Sequence, residues 1–466
     1  MTAALSLLSF ALPMLTGILL IHALWAEKNN FFDWVLKLSL GTGIGLGISS
    51  LLYFVYLLAF AGKPWFLFVE VLTFGAVIIA TRKYLRVSVS LWFKPTRAQT
   101  WALILAGIVF FTTVAGILNY SRQRALGDWD AWMIYNRAAR FLFRDQAAWQ
   151  ESFPPEMSVI FHADYPLLLA SNNAARWDIL NKETPYVPMF QSVLFAFAAL
   201  GLIFGALGRF TSVGQASLGL ILLAGVPFYL LEGGRQTADL PLAFYFLATV
   251  VFIFAYYEEK RFSLLFFAGF TAALAAWTKN EGLLFLLVAG AVILLLRTAD
   301  FSLRIWHKQV FQSFLPFFAG ALLPLSVALY FKVALAPASE FLSGGLTKIL
   351  QDIADPTRHG IILAYFKNIF LFSNGWYRVG ILPILCVYFL VFHTRKAQGN
   401  NPVFLGFAIF TLQIIGYYAF YLISPYELDW HLSSSIDRLF IHVYPTILFV
   451  TLAASQTPET IFESDV

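Results

Sequence analysis

Charge is scarce in this 466-residue chain. Charged residues make up 12% of it and hydrophobic ones 59%, against a usual charged share of about 25%. Cysteine is nearly absent: Cys386 stands alone inside an apolar run, which excludes a disulfide framework and a thiolate metal site. HExxH spacing, a glycine-rich phosphate loop and a GxGxxG fingerprint are all missing. No basic residue precedes Lys28, and residues 1–25 lack the basic start and small-residue cleavage site of a secretory leader, so none is expected. The formal charge of +5 comes from basic residues in short loops, where they set topology, so no nucleic-acid partner is expected.

What the chain has instead is a series of apolar runs of about 20 residues, the length that crosses a bilayer. The pattern predicts an all-α, polytopic helical membrane protein with about thirteen spans, near residues 4–25, 38–60, 64–81, 100–119, 188–207, 213–231, 239–257, 263–278, 282–297, 310–335, 376–393, 402–422 and 438–454. The segment 82–99 carries Arg82, Lys83, Arg86, Lys94 and Arg97 with no acid, which places it in the cytoplasm. Alternation puts "HTRKAQGNN" (393–401) inside as well, where Arg395 and Lys396 suit it. The N-terminus and the loops 120–187, 232–238, 279–281, 336–375 and 423–437 then face outward. Three regions result: an N-terminal three-helix unit with its basic loop (1–99), a larger membrane module (100–455) and a short cytoplasmic tail (456–466). The glycines of "GTGIGLG" (Gly41 to Gly47) are spaced for close helix contact.

Polar chemistry crowds the outward loops. The 120–187 loop holds seven Lys or Arg and eight Asp or Glu, and its densest stretch is "GDWDAWMIYNRAARFLFRD" (Gly127 to Asp145). Read as a helix at 100° per residue, Asp130, Arg137, Arg140 and Arg144 fall within about 80° of one another, with Trp132, Tyr135, Ala139, Leu142 and Phe143 opposite. That is a helix for lying flat in a membrane interface. Farther on, His162, Asp164 and Tyr165 in "FHADYPLLLA" precede a fresh apolar run that dips back toward the membrane, which requires cover from protein. Asp239 in "EGGRQTADLP" reads as a helix start with Asp as cap, and Lys279 and Glu281 in "TKNEG" as a pair across a tight turn. His431, Ser435 and Arg438 in "ELDWHLSSSIDR" share one helical face. Glu70 lies inside a span near the outer surface, where an ionisable group serves either function or pairing with a nearby outer-face arginine.

These parts suit the transfer of a sugar carried on a polyprenyl phosphate. The lipid stays in the bilayer, cations neutralise the phosphate leaving group, and a carboxylate takes the acceptor hydroxyl's proton. Asp130 is the expected base. Asp128 would orient it or share a divalent ion with it, and Arg137, Arg140 and Arg144 would meet the donor phosphate. The motifs "GDWDAW", "HADYPLLL", "ADLPLAF", "TKNEGLLF" and "DWHLSSSIDRLFIHVYP", in this order over about residues 100–450, resemble the GT-C superfamily of membrane glycosyltransferases, nearest the protein O-mannosyltransferases and the lipid A aminoarabinose transferase. The resemblance implies a GT-C-like fold with a long first catalytic loop containing interfacial helices. It also implies a polyprenyl-phosphate-sugar donor, an inverting transfer and, in many members, a divalent cation. The catalytic acid is then Asp130 or Asp128, with Asp164 and Asp239 in later motifs of the pattern.

Only "ASQTPETIFESDV" follows the last span, which points to a glycan or lipid acceptor rather than a large folded protein. Single cysteine and motif style point to a bacterial inner membrane with the site on its outer face. Two other readings stay open: a polysaccharide polymerase or ligase on a polyprenyl diphosphate, relying on His162, His431 and Arg438, and a transporter or lipid flippase.

Overall fold

The computed structural model describes residues 1–25, 30–84, 93–145, 147–157, 161–295, 303–338, 345–371, 381–393 and 402–462, and these form helices with no strand among them. In chain order they are α1 (Thr2–Leu24, with a turn at Ser9–Phe10), α2 (Phe31–Phe60), α3 (Phe66–Thr81), α4 (Arg97–Gln123), α5 (Asn136–Arg144), α6 (Leu168–Leu180), α7 (Tyr186–Phe210), α8 (Val213–Ala224) and α9 (Pro227–Arg235). There follow α10 (Asp239–Glu259), α11 (Phe262–Thr278), α12 (Asn280–Leu295), α13 (Leu303–Tyr330), α14 (Gly345–Ala354), α15 (Pro356–Leu371), α16 (Ile381–Phe392), α17 (Pro402–Leu422) and α18 (Leu428–Ala454).

Among the described residues eight helices are long and apolar enough to cross a bilayer, nine if the bent pair α8–α9 counts as one span, and α3, α11 and α12 are shorter apolar helices. The chain is a helical integral membrane protein. Of the expected segments, 85–92 of the first basic loop, 146 and 158–160 of the first outer loop, the end of the 282–297 span, 339–344 and 372–375 of the 336–375 loop, the start of the 376–393 span, 394–401 of the second basic loop and residues 463–466 of the tail lie outside the described residues.

Helix boundaries follow local chemistry. Reciprocal capping boxes, Asn30 with Asp33 and Thr96 with Gln99, start α2 and α4. Pro227 has no N–H to offer and biases Val226 toward extended backbone, so α8 and α9 meet at 68°. The bend turns Glu232 and Arg235 into the interior of one end of the bundle.

Burial ranks the helices. α10, apolar on every side, has 94% of its core window buried and is the central helix, whereas α4 has 17% and lies at the periphery. The glycine motif of α2 does what its spacing predicts: a Cβ at Gly41 would sit 2.5 Å from the backbone of Ile18, and one at Gly45 would strike the carbonyl of Pro13. α1 and α2 therefore touch through backbone.

The segment expected to dip back toward the membrane forms α6, whose residues from Leu168 to Trp177 are all buried against protein. Its polar side chains are spent on protein. Asn172 donates to the carbonyl of Leu46 at 3.0 Å, Trp177 donates to that of Thr184 at 3.0 Å, and Arg176 bonds Glu70, Ser49 and the carbonyl of Ser9. Glu70 thus has the arginine partner foreseen for it, and the pair is structural.

Candidate functional site

Gly127, at φ +75°, starts the site. A side chain there would lie 2.5 Å from the carbonyl of Arg235, the same carbonyl to which Asp128 N–H donates at 3.2 Å. The turn pins the loop to the end of α9 and delivers two aspartates into different company. Asp128 is held by Arg124 at 2.6 Å, by Arg235 at 2.7 Å and by the Tyr120 hydroxyl at 3.2 Å. Asp130 pairs with Arg438 of α18 at 2.6 Å and keeps 23% of its side chain exposed.

Between Asp130 and α5 the backbone makes a π turn, Ala131–Tyr135. A π turn carries an extra residue, so a projection at 100° per residue does not hold across it. This corrects the single polar face expected here. Arg140 and Arg144 turn to Glu183, at 3.5 Å for Arg140, and Arg144 holds the Glu183 carboxyl below its usual range. Arg137 donates to the carbonyls of Met133 (2.9 Å) and Phe161 (3.4 Å) and lies over the Phe161 ring. Desolvation lowers its pKa to about 10. The buried face also shifts: Tyr135, Ala139 and Leu142 are buried as the pattern requires and Phe143 is half-buried, but Trp132 is exposed and Ile134, outside the expected face, is buried.

Asp239 is the hub. Its side chain makes no cap bond, which corrects the reading of it as a simple helix cap. It is fully buried, and it accepts from Lys279 at 3.0 Å, Arg438 Nε at 2.8 Å and His442 Nε2 at 2.7 Å. A buried carboxylate is tolerable only when paired and hydrogen-bonded in this way. If His442 donates through Nε2, its Nδ1 accepts from the Tyr417 hydroxyl, 3.3 Å away. Lys279 continues to Glu281 at 2.9 Å, the partner the sequence suggested.

One chain of alternating charge therefore runs Asp130, Arg438, Asp239, Lys279, Glu281, through residues more than 300 positions apart. Behind it Tyr135 is 3% exposed, and its hydroxyl has no hydrogen-bond partner among the described residues. Nearby, the buried Glu232 pairs with the partly exposed Arg235 at 2.5 Å and accepts from the Thr237 hydroxyl at 2.9 Å.

Glu281 ends at a cavity of about 400 Å³ that also meets His162, Asp164, Tyr165 and Lys332. Asp164 accepts from Asn280 at 2.9 Å and pairs with Lys332 at 3.3 Å. His162 holds a left-handed backbone (φ +43°), and its ring stacks on Tyr165 at 4.8 Å. His431 parts from Arg438: Ser424 Oγ is 2.7 Å from its Nδ1, and the rings of Phe420, Tyr421 and Tyr426 surround it.

The sequence reading missed Arg235, Lys332, Tyr135 and His442. His442 stood in the quoted "FIHVYP", four residues and so one helical turn after Arg438, the only signal that could have found it. As for a divalent cation, each aspartate of "DWD" is matched by arginine, and no cluster of three or more metal-ligating side chains occurs among the described residues. The residues present do not fit the ion.

Compared with known protein families, curated proteins and solved structures, the chain matches none of them.

Proposed function

We propose that the protein is a glycosyltransferase that moves a sugar from a polyprenyl-phosphate donor to a glycan or lipid acceptor at the outer face of a bacterial inner membrane. One observation carries this reading. A partly exposed carboxylate, Asp130, is joined through Arg438, Asp239 and Lys279 to a cavity wall, Glu281, at one end of a membrane-embedded helical bundle. The motif order that resembles GT-C enzymes supports it.

In the step proposed, the acceptor hydroxyl oxygen attacks the anomeric carbon. The bond from that carbon to the phosphate oxygen breaks, and the phosphate leaves with the electron pair. The hydroxyl proton passes to Asp130. Arg438 holds Asp130 in place. Arg137, bonded to the Phe161 carbonyl next to the cavity residue His162, is the arginine best placed to meet the donor phosphate. Arg140 and Arg144 fix the loop through Glu183.

The test is mass spectrometry of membrane glycolipids and surface glycans from cells with and without the protein. We expect one glycan product to depend on it, and Asp130→Asn to lower that product by about 10²-fold or more while insertion and expression persist. Undiminished product in Asp130→Asn would remove the base from the scheme.

A further inference from the structure

The cavity beside Glu281 changes character from one wall to the other. One wall is apolar: Leu283 and Leu284 of α12, Leu325 and Leu329 of α13. Leu283 and Leu329 are at the same time 37% and 45% exposed, on apolar helices of membrane length or slightly shorter. That side of the cavity therefore opens sideways into hydrocarbon. The polar part of the lining, from the ends of the same helices and the preceding loop, is His162, Asp164, Asn280, Glu281 and Lys332 with the Tyr165 ring. Such a space suits a molecule with a hydrocarbon tail and a polar head.

Charge decides which head. Lys279 matches Glu281, and Lys332 with Asn280 matches Asp164, so no surplus of cation remains in the wall. What remains is acceptor capacity. The Asn280 Oδ1 is buried and has no hydrogen-bond partner among the described residues, and each carboxylate keeps lone pairs beyond its present bonds. A phosphate would face two carboxylates and add further acceptors. Hydroxyls would donate to both.

We infer that this cavity is the acceptor site, and that the acceptor is a membrane lipid with an uncharged, hydroxyl-bearing headgroup of the sugar type. The inference rests on the glycosyltransferase reading and narrows its acceptor from glycan or lipid to lipid. It also separates the two substrates: the anionic donor lies toward Arg137, the neutral acceptor between α12 and α13.

The test is native mass spectrometry of the full chain released from phosphatidylcholine nanodiscs, with dodecyl maltoside, dodecyl phosphate and maltose as probes. The expected result is one dodecyl maltoside retained per chain, with maltose retained roughly tenfold less, and with any dodecyl phosphate held on the donor side unaffected by filling the cavity. Leu329→Trp, which fills the membrane side of the cavity, and Asn280→Leu should each lower dodecyl maltoside retention by roughly tenfold. Leu329→Trp alters a half-exposed position and keeps the test valid should Asn280→Leu fold poorly. Equal retention of maltose, unchanged dodecyl maltoside retention in Leu329→Trp, or an equal loss of dodecyl phosphate in that variant overturns the inference. Because binding needs no turnover, this outcome is independent of Asp130→Asn: product loss in that variant with no cavity binding sinks the acceptor site alone, and cavity binding with full product in Asp130→Asn sinks the catalytic reading alone.

Discussion

Asp128, Asp130 and Asp239 are chemically identical side chains made different by their neighbours. Asp128 is surrounded by two arginines and a tyrosine, Asp239 by a lysine, an arginine and a histidine, while Asp130 has Arg438 on one side and solvent on the other. Asp239 is sealed off, and Asp128 and Asp130 are equally exposed, at 22% and 23%. Asp130 differs in having one cationic partner rather than two among the described residues, which leaves more of its lone pairs for a substrate proton. Asp178 shows what burial does without such company: desolvation raises its pKa to about 6. Between its unfolded value near 4 and that folded value the folded chain binds the extra proton, so stability falls as pH rises through this window. Asp178→Asn should therefore raise the thermal unfolding temperature at pH 7 and change nothing at pH 4. Equal effects at both pH values would contradict the burial argument.

At the scale of elements, α6 is the piece that makes a loop into a site. It plugs the space between α2, α3 and α7 and carries the polypeptide from the Asp130 region back into the bundle. Its anchor is the buried Arg176–Glu70 pair, where Arg176 Nε and Glu70 Oε2 have no hydrogen-bond partner among the described residues. Breaking a buried pair leaves one charge uncompensated and costs about 3–5 kcal/mol, whereas replacing both partners with apolar residues can be neutral. Arg176→Met and Glu70→Leu should each lower the unfolding temperature strongly in detergent solution, and the double variant should recover most of the loss. Additive losses would show that the pair is not coupled. A second tie, Asn173 to Asn136 at 3.1 Å and Asn136 to Gln236 at 3.0 Å, locks α6, α5 and the turn after α9 together, which holds the π turn that aims Asp130.

For the whole molecule the arrangement has a direction. Asp130, Asp239, Lys279, Glu281, Asp164 and Arg438 gather at one end, and Arg209 pairs with Asp33 at 2.5 Å elsewhere, in the ion-paired set it forms with Glu258 and Glu259. The proposed reaction requires the first end to face outward. Trp129 is 48% exposed between the two aspartates, so a Trp129→Cys reporter in a Cys386→Ser background should react with a membrane-impermeant maleimide while the inner membrane is intact. Labelling only after that membrane is opened would place Asp130 on the cytosolic side and end the present account of its chemistry.

The sequence by itself determined the class and most of the helices. Apolar runs of bilayer length have few alternatives to helix, because backbone groups in hydrocarbon must bond within their own segment. Glycine spacing likewise announced a close helix contact, which the structure assigns to α1 against α2, and the short separation of Lys279 and Glu281 announced their pair. What only the tertiary structure decided is which distant charges meet. Asp130 with Arg438, Asp239 with His442, Glu70 with Arg176 and Asp164 with Lys332 are separated by 100 to more than 300 positions, and helical periodicity carries no information across such distances. The π turn before α5 is the same lesson in miniature: a single extra residue, invisible in composition, turned Asp130 away from the arginines that follow it and toward the one that completes the site.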